Sequence, residues 1–185
     1  REFHDRRFAT GPRRAARKYY ETDAGKQVYR SKVIERIAPG VRLLEYGCGA
    51  GSLSVATAGA GADVVGIDIS EVALTKARKR ARKAKVSVEY LEMNAQDLDF
   101  PDESFDLVCG SGILHHLELE PALAEVARVL RPGGTALFVE PLGHNPLINL
   151  YRRLTPAMRS VDEMPLRLPD VEAALRPFDE VTVEH

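Results

Sequence analysis

The segment LLEYGCGAGSLS (residues 43–54) puts Gly47, Gly49 and Gly51 directly after a β-type run and at the head of a helical one. A chain that turns sharply from a strand into a helix needs backbone angles that side chains disfavour. A ligand lying against the main chain also needs those side chains to be absent. The segment therefore points to an α/β sheet with a ligand site beyond the carboxyl end of its first strand. A second feature agrees. Asp68 closes the next β-type run (VVGIDIS), 21 residues after Gly47, where a carboxylate accepts hydrogen bonds from the two hydroxyls of an adenosine ribose.

From Val41 onward, short aliphatic runs alternate with longer helical stretches, the pattern of a parallel sheet covered by helices. The expected strands are Val41–Tyr46, Ala62–Ile67, Val86–Leu91, Phe105–Gly110, Thr135–Glu140 and Glu180–Glu184; the expected helices are Gly51–Ala60, Glu71–Ala84, Glu120–Leu130 and a stretch around Pro146–Leu154. RPGG (131–134) reads as a loop from helix to strand. The fold class is α/β, a doubly wound, mostly parallel, Rossmann-like sheet with helices on both faces. Residues 1–40 read as an N-terminal helical cap closed by the Pro39-Gly40 turn, and residues 41–185 as the ligand-binding domain of a single-domain chain. Residues 141–170 are rich in Pro and polar groups, which favours loops near a site mouth.

Two ligand classes compete for such a turn, dinucleotides and S-adenosylmethionine. The third glycine of a dinucleotide fingerprint is replaced by Ser52, and Glu45 stands two residues before the turn. A carboxylate there opposes a pyrophosphate but suits the sulfonium and ammonium of S-adenosylmethionine. The runs EYGCGAG, GIDIS, NAQDLDFPDESFDLV, LHHL and RVLRPGG follow in order over roughly Val41–Glu140. Together they resemble a class I S-adenosylmethionine-dependent methyltransferase, nearest the ubiquinone and menaquinone methyltransferase-like group of small-molecule enzymes. The resemblance implies that Glu45, Gly47, Gly49 and Gly51 surround the methionine end of the cofactor, that Asp68 binds the ribose and that Ile69 packs on the adenine. It implies that Asn94 and Ala95 read the adenine edge, Asn94 standing where the family often has Asp, and that Gly110 and Ser111, ending the fourth strand, also border the cofactor.

His115 and His116 follow that strand, at the edge where α/β sheets place their chemistry. Methyl transfer requires the acceptor to be collinear with the donor and deprotonated when it attacks. The resemblance selects His116 as the catalytic base; by their places in the chain His115 beside it, Tyr20 in a KYY run that can fold over the cofactor as a lid, and His144 after the fifth expected strand are the candidate substrate residues. A histidine in a turn also serves as an ordinary capping or packing group, and loop capping by Asn145 is the alternative reading of the His144-Asn145 pair.

Composition narrows the partners. With 26 basic and 27 acidic residues the formal charge is −1, which provides no general field for nucleic acid. Seven basic residues between Lys76 and Lys85 read as the solvated face of a helix, because no aromatics interleave for base stacking. Neither an Asn/Asp-Pro-Pro-aromatic turn nor a Pro-Cys pair, the signatures of base methylation, is present. The sequence has no run near the ~18 apolar residues of a membrane helix and no secretory leader, so the expected location is cytoplasmic. Cys48 and Cys109 fit reduced core residues; no metal site is expected. Because the chain ends at His185, soon after the sixth expected strand, the last strand of the family hairpin is expected to be missing. The leading expectation is an enzyme that moves a methyl group from S-adenosylmethionine to an oxygen of a small or lipid-like acceptor, leaving S-adenosylhomocysteine. A cofactor-binding module without turnover and a nicotinamide-dependent oxidoreductase are the alternatives.

Overall fold

The computed structural model describes residues 23–140 and 166–184. Tyr20, His144, Asn145 and the helix expected around 146–154 lie outside the described residues.

Five strands form one sheet in the order β3-β2-β1-β4-β5, with β1 (Arg42–Tyr46), β2 (Asp63–Asp68), β3 (Glu89–Glu92), β4 (Phe105–Ser111) and β5 (Leu130–Val139). All neighbouring pairs are parallel. The order reverses between β1 and β4, and the crevice beyond their carboxyl ends is where open α/β sheets bind ligands. Register brings the strand ends together. Tyr46 pairs with both Ile67 and Gly110, Asp68 pairs with Glu92, and Ser111 pairs with Val139. The glycine turn, Asp68, Asn94, Ser111 and Glu140 therefore follow one edge of the sheet.

Successive side chains of a strand point to opposite faces, and here both faces are covered. Leu43, Val64, Leu107 and Cys109 pack with Tyr29 and Val33 of α1 (Asp23–Ile34) and Leu53 of α2 (Ser52–Gly59). Leu44, Tyr46, Val65, Ile67 and Val108 pack on the other face with Val126 and Val129 of α4 (Leu119–Val129). The described part of the N-terminal region is thus a helix that shares a core with the strands. A short helix, α5 (Leu168–Ala174), joins Leu114, Leu123 and Leu166 in a smaller cluster.

Helix α3 (Glu71–Ala84) begins with the Ser70 side chain accepting from Ala73 N and ends at Lys85 in the left-handed region. Its Ala73, Leu74, Ala77 and Ala81 are buried, and Lys79, Arg80, Arg82, Lys83 and Lys85 are exposed, as an amphipathic helix of this composition requires. Cys48 and Cys109 are buried free thiols, and burial pushes both well above the ordinary thiol range. Among the described residues no helix is long and apolar enough to cross a membrane.

Three expectations need correction. Glu180–Glu184 is not a strand. Val181 and Val183 alternate as in a strand but remain half-exposed, and no described strand offers this segment a ladder; among the described residues Glu184 forms an ion pair with Lys32 of α1. β3 starts at Glu89, not Val86, because Val86 N still bonds to Ala81 O as the chain leaves α3. β5 starts at Leu130, which pairs with Phe105, after which the chain bulges over Arg131–Gly134 and resumes pairing at Thr135 with Leu107. RPGG is therefore a bulge within the strand, with Gly133 at φ 77° supplying its turn.

Candidate functional site

The glycine turn is a built structure. Gly47, Gly49 and Gly51 have φ of 63°, 52° and 68°, all in the region where a Cβ is strained. Space is restricted as well. A Cβ on Gly47 would come within 2.9 Å of the Ile113 side chain, and one on Gly51 within 2.4 Å of the Tyr90 hydroxyl and 2.8 Å of Ala77 Cβ. The turn is anchored to β2 through Cys48 N, which donates to Ile67 O at 2.8 Å.

Asp68 fixes it further. Gly49 N donates to Asp68 Oδ2 at 2.8 Å, and Ser70 N to Oδ1 at 2.9 Å. Each carboxylate oxygen has two lone pairs, so these bonds orient the group without exhausting it as an acceptor. Ile69, next in the chain, is 41% exposed, an apolar surface at the edge of the same turn. Asn94 is exposed after β3, and its Oδ1 accepts from Gln96 N at 3.1 Å. Ala95 is buried, with its carbonyl accepting from the Tyr46 hydroxyl.

Glu45 sits beneath the turn, 8% exposed. Its Oε2 accepts from Ser54 N at 2.8 Å and from the Ser54 hydroxyl, so the start of α2 is tied to the end of β1. Burial raises its pKa from 4.5 to about 7, against the lowering effect of the Ser54 bonds and of Arg30. A cation arriving beside this carboxyl favours its ionised form.

On the other side of the switch point the chain leaves β4 and enters a one-turn 3-10 helix, Leu114–His116. Glu140, just after β5, organises this turn. Its Oε1 accepts from Ile113 N at 2.8 Å and Leu114 N at 2.9 Å, and its Oε2 lies 2.8 Å from His115 Nδ1. The His115 and His116 rings are 4.1 Å apart between centroids. Ile113 reaches back to wall the glycine turn at Gly47, so the imidazoles and the turn are neighbours. Gly110 is buried, and a Cβ there would meet Phe138 at 2.7 Å and Ile113 at 2.9 Å. Close packing accounts for that glycine. Ser111 is exposed at the strand end.

Sequence reading misses two residues of this edge. Glu140 ends the fifth expected strand as Asp68 ends the second, a signal that was available. Tyr29 of α1 gave none; it is 8% exposed. Burial, with Cys109, Glu45 and Glu140 nearby, pushes its hydroxyl well above the phenol range.

Comparison with known proteins agrees with the geometry. A ubiquinone biosynthesis O-methyltransferase of Hahella chejuensis is 42% identical over 121 residues, covering 63% of this chain and 50% of that protein. A fatty-acid O-methyltransferase of Mycolicibacterium smegmatis is 36% identical over 117 residues, covering 62% and 42%. The chain spans between 36% and 50% of the length of the curated relatives it matches first. Among solved structures, YcgJ of Bacillus subtilis superposes with a TM-score of 0.72 at 24% identity, over 81% of this chain and 67% of that one. The [4+2]-cyclase SpnF superposes with a TM-score of 0.66 at 27% identity, over 80% and 54%. The sequence description of a methyltransferase domain matches residues 44–138, just over half of the chain, and with this the chain belongs to the class I S-adenosylmethionine-dependent methyltransferases.

Proposed function

We propose that the chain transfers a methyl group from S-adenosylmethionine to an oxygen of a small-molecule or lipid-like acceptor. One observation carries the reading: a left-handed glycine turn, with no room for side chains at Gly47 and Gly51, is bonded through Gly49 N to a strand-end aspartate beside an exposed Ile69. These residues fit an adenosyl ligand. Asp68 would accept from the ribose hydroxyls, Ile69 would cover one face of the adenine, and Asn94 would meet its amino group. The glycines would let the methionine end approach the main chain, with Glu45 supplying negative charge. When bound, S-adenosylmethionine supplies an electrophilic methyl carbon on a sulfonium. The chain's own task is then to align the acceptor, exclude water and take its proton. That proton goes to one of the two imidazoles after β4, of which the family resemblance selects His116.

Oxygen as the accepting atom is supported by the names of the Hahella and Mycolicibacterium relatives. The likeness to a [4+2]-cyclase supports a second reading, a cofactor site without methyl transfer, because a fold does not dictate a reaction. Titration with S-adenosylhomocysteine and transfer of labelled methyl to a panel of phenols, quinols and fatty acids separate the two. Binding with transfer supports the enzyme, binding alone supports the module, and no binding at millimolar concentration refutes both.

A further inference from the structure

We propose that the outer side of α3 is a docking surface for an anionic lipid bilayer. The choice of a bilayer rests on the lipid-like acceptor proposed above; the cationic surface itself does not.

Residues 71–85 carry seven cations and Glu71 as their one carboxylate, a formal +6. The 185 residues together are −1, so those outside this segment amount to −7. A molecule with its charge separated in this way approaches a negative surface with α3 leading.

Folding accounts for part of the helix. Ala73, Leu74, Ala77 and Ala81 make its buried side, where Leu74, Ala77 and Ala81 pack with Tyr90 and Cys48. Arg78 is a structural cation, donating to Glu71 Oε1 at 2.6 Å and to Tyr90 O at 3.0 Å. Arg82 and Lys83, in the last turn, suit the negative end of the helix dipole. Neither reason reaches Lys79 and Arg80 in the middle. With Lys76 and Lys83 they stand at i, i+3, i+4 and i+7, a single stripe of exposed side chains. Like charges at those spacings repel, so the stripe opposes the helix that carries it. Among the described residues Lys79, Arg80, Arg82 and Lys83 have no carboxylate as an ion-pair partner. A layer of anionic headgroups supplies counter-charge to all four at once.

The side chains also say how such a surface binds. Apart from Thr75 and Ala84, every exposed residue of α3 is a cation. No aromatic ring stands there to stack on a base or to wedge between acyl chains, which leaves electrostatic adsorption. Lipid headgroups move sideways to gather beneath fixed charges, so no match of shape is needed. The place suits the reaction as well. α3 leaves the cofactor edge just after Asp68 and Ile69, and a bilayer lying on it runs beside that edge, where an acceptor dissolved in the bilayer is concentrated.

Flotation of the full chain, without cofactor, on vesicles of phosphatidylcholine alone or with about 30 mol% phosphatidylglycerol tests the surface. The chain should float with the mixed vesicles and not with the neutral ones, and about 0.5 M NaCl should release it. The triple variant Lys79→Gln, Arg80→Gln, Lys83→Gln keeps good helix formers and should weaken binding by about tenfold or more. The exchange Lys79→Arg, Arg80→Lys, Lys83→Arg should bind as the wild type does, because only charge is recognised. Affinity for S-adenosylhomocysteine should be the same in all three chains. Equal flotation on neutral vesicles, no flotation on mixed ones, or undiminished flotation of the Gln variant overturns the proposal. Displacement from mixed vesicles by a DNA duplex at equal phosphate concentration also overturns it and gives the surface to nucleic acid. Failure of the wild type to bind S-adenosylhomocysteine would overturn the methyltransferase reading instead, and flotation would still decide the surface.

Discussion

Asp68 and Glu45 are carboxylates at the ends of neighbouring strands, yet their surroundings give them different duties. Asp68 is half-buried and receives backbone N–H groups on both oxygens, which suits a permanent acceptor. Asp68→Asn turns an amide donor toward one of those N–H groups. It should weaken S-adenosylhomocysteine binding by about 30-fold, roughly 2 kcal/mol, in calorimetric titration. Glu45 is buried with its pKa raised from 4.5 to about 7. In that window the folded chain holds a proton that the unfolded chain has released, so stability falls as pH rises from 4.5 through 7, by about 3 kcal/mol. Urea unfolding at pH 5 and pH 8 should show this decline in the wild type and its loss in Glu45→Gln. The glycines allow a graded test. Gly47→Ala meets the Ile113 side chain, at 2.9 Å from Cδ1, 3.0 Å from Cγ1 and 3.2 Å from Cβ, whereas Gly51→Ala meets the Tyr90 hydroxyl at 2.4 Å and Ala77 at 2.8 Å. Both incur the left-handed penalty of about 1 to 2 kcal/mol, and Gly51→Ala should be the more destabilising in the same assay.

Elements were legible where local chemistry sets them and obscure where a partner does. α3 runs from Glu71 to Ala84 as its cap and periodicity indicate, because Ser70, the buried alanines and Lys85 are all local signals. Glu180–Glu184 carries an alternating pattern but needs a neighbouring edge to become a strand, and no described strand provides one. The stretch between β3 and β4 is held by α4 from a distance. Arg128 grips both oxygens of Glu125 and donates to Leu98 O, Phe100 O and Asp102, while Leu98 N donates to Glu125 Oε2. No spacing in the sequence announces that clamp. Arg128→Ala should cost about 2 to 3 kcal/mol in urea unfolding, since two part-buried carbonyls and the Glu125 carboxylate lose their donors. Arg128→Lys should recover less than half, because an ammonium cannot bridge a carboxylate bidentately.

For the molecule as a whole, a ligand that binds only the folded chain stabilises it by mass action. S-adenosylhomocysteine at a hundred times its Kd should contribute about 2.7 kcal/mol and raise Tm by about 5 to 10 °C; NAD should leave Tm unchanged. The sequence by itself determined the α/β class, the place of the glycine turn and the partnership of that turn with Asp68. These depend on residues close in the chain, on periodicity and on backbone angles that only glycine adopts freely. Only the tertiary structure decided that His115 bonds Glu140, that Tyr29 is buried near Glu45, and that Gly110 is a glycine because Phe138 and Ile113 crowd it. The parallel register of β4 and β5 brings Phe138 to Gly110 and Glu140 to the turn that carries His115, and the packing of α1 on the sheet brings Tyr29 to Glu45; contacts between elements far apart in sequence leave no local mark on the chain.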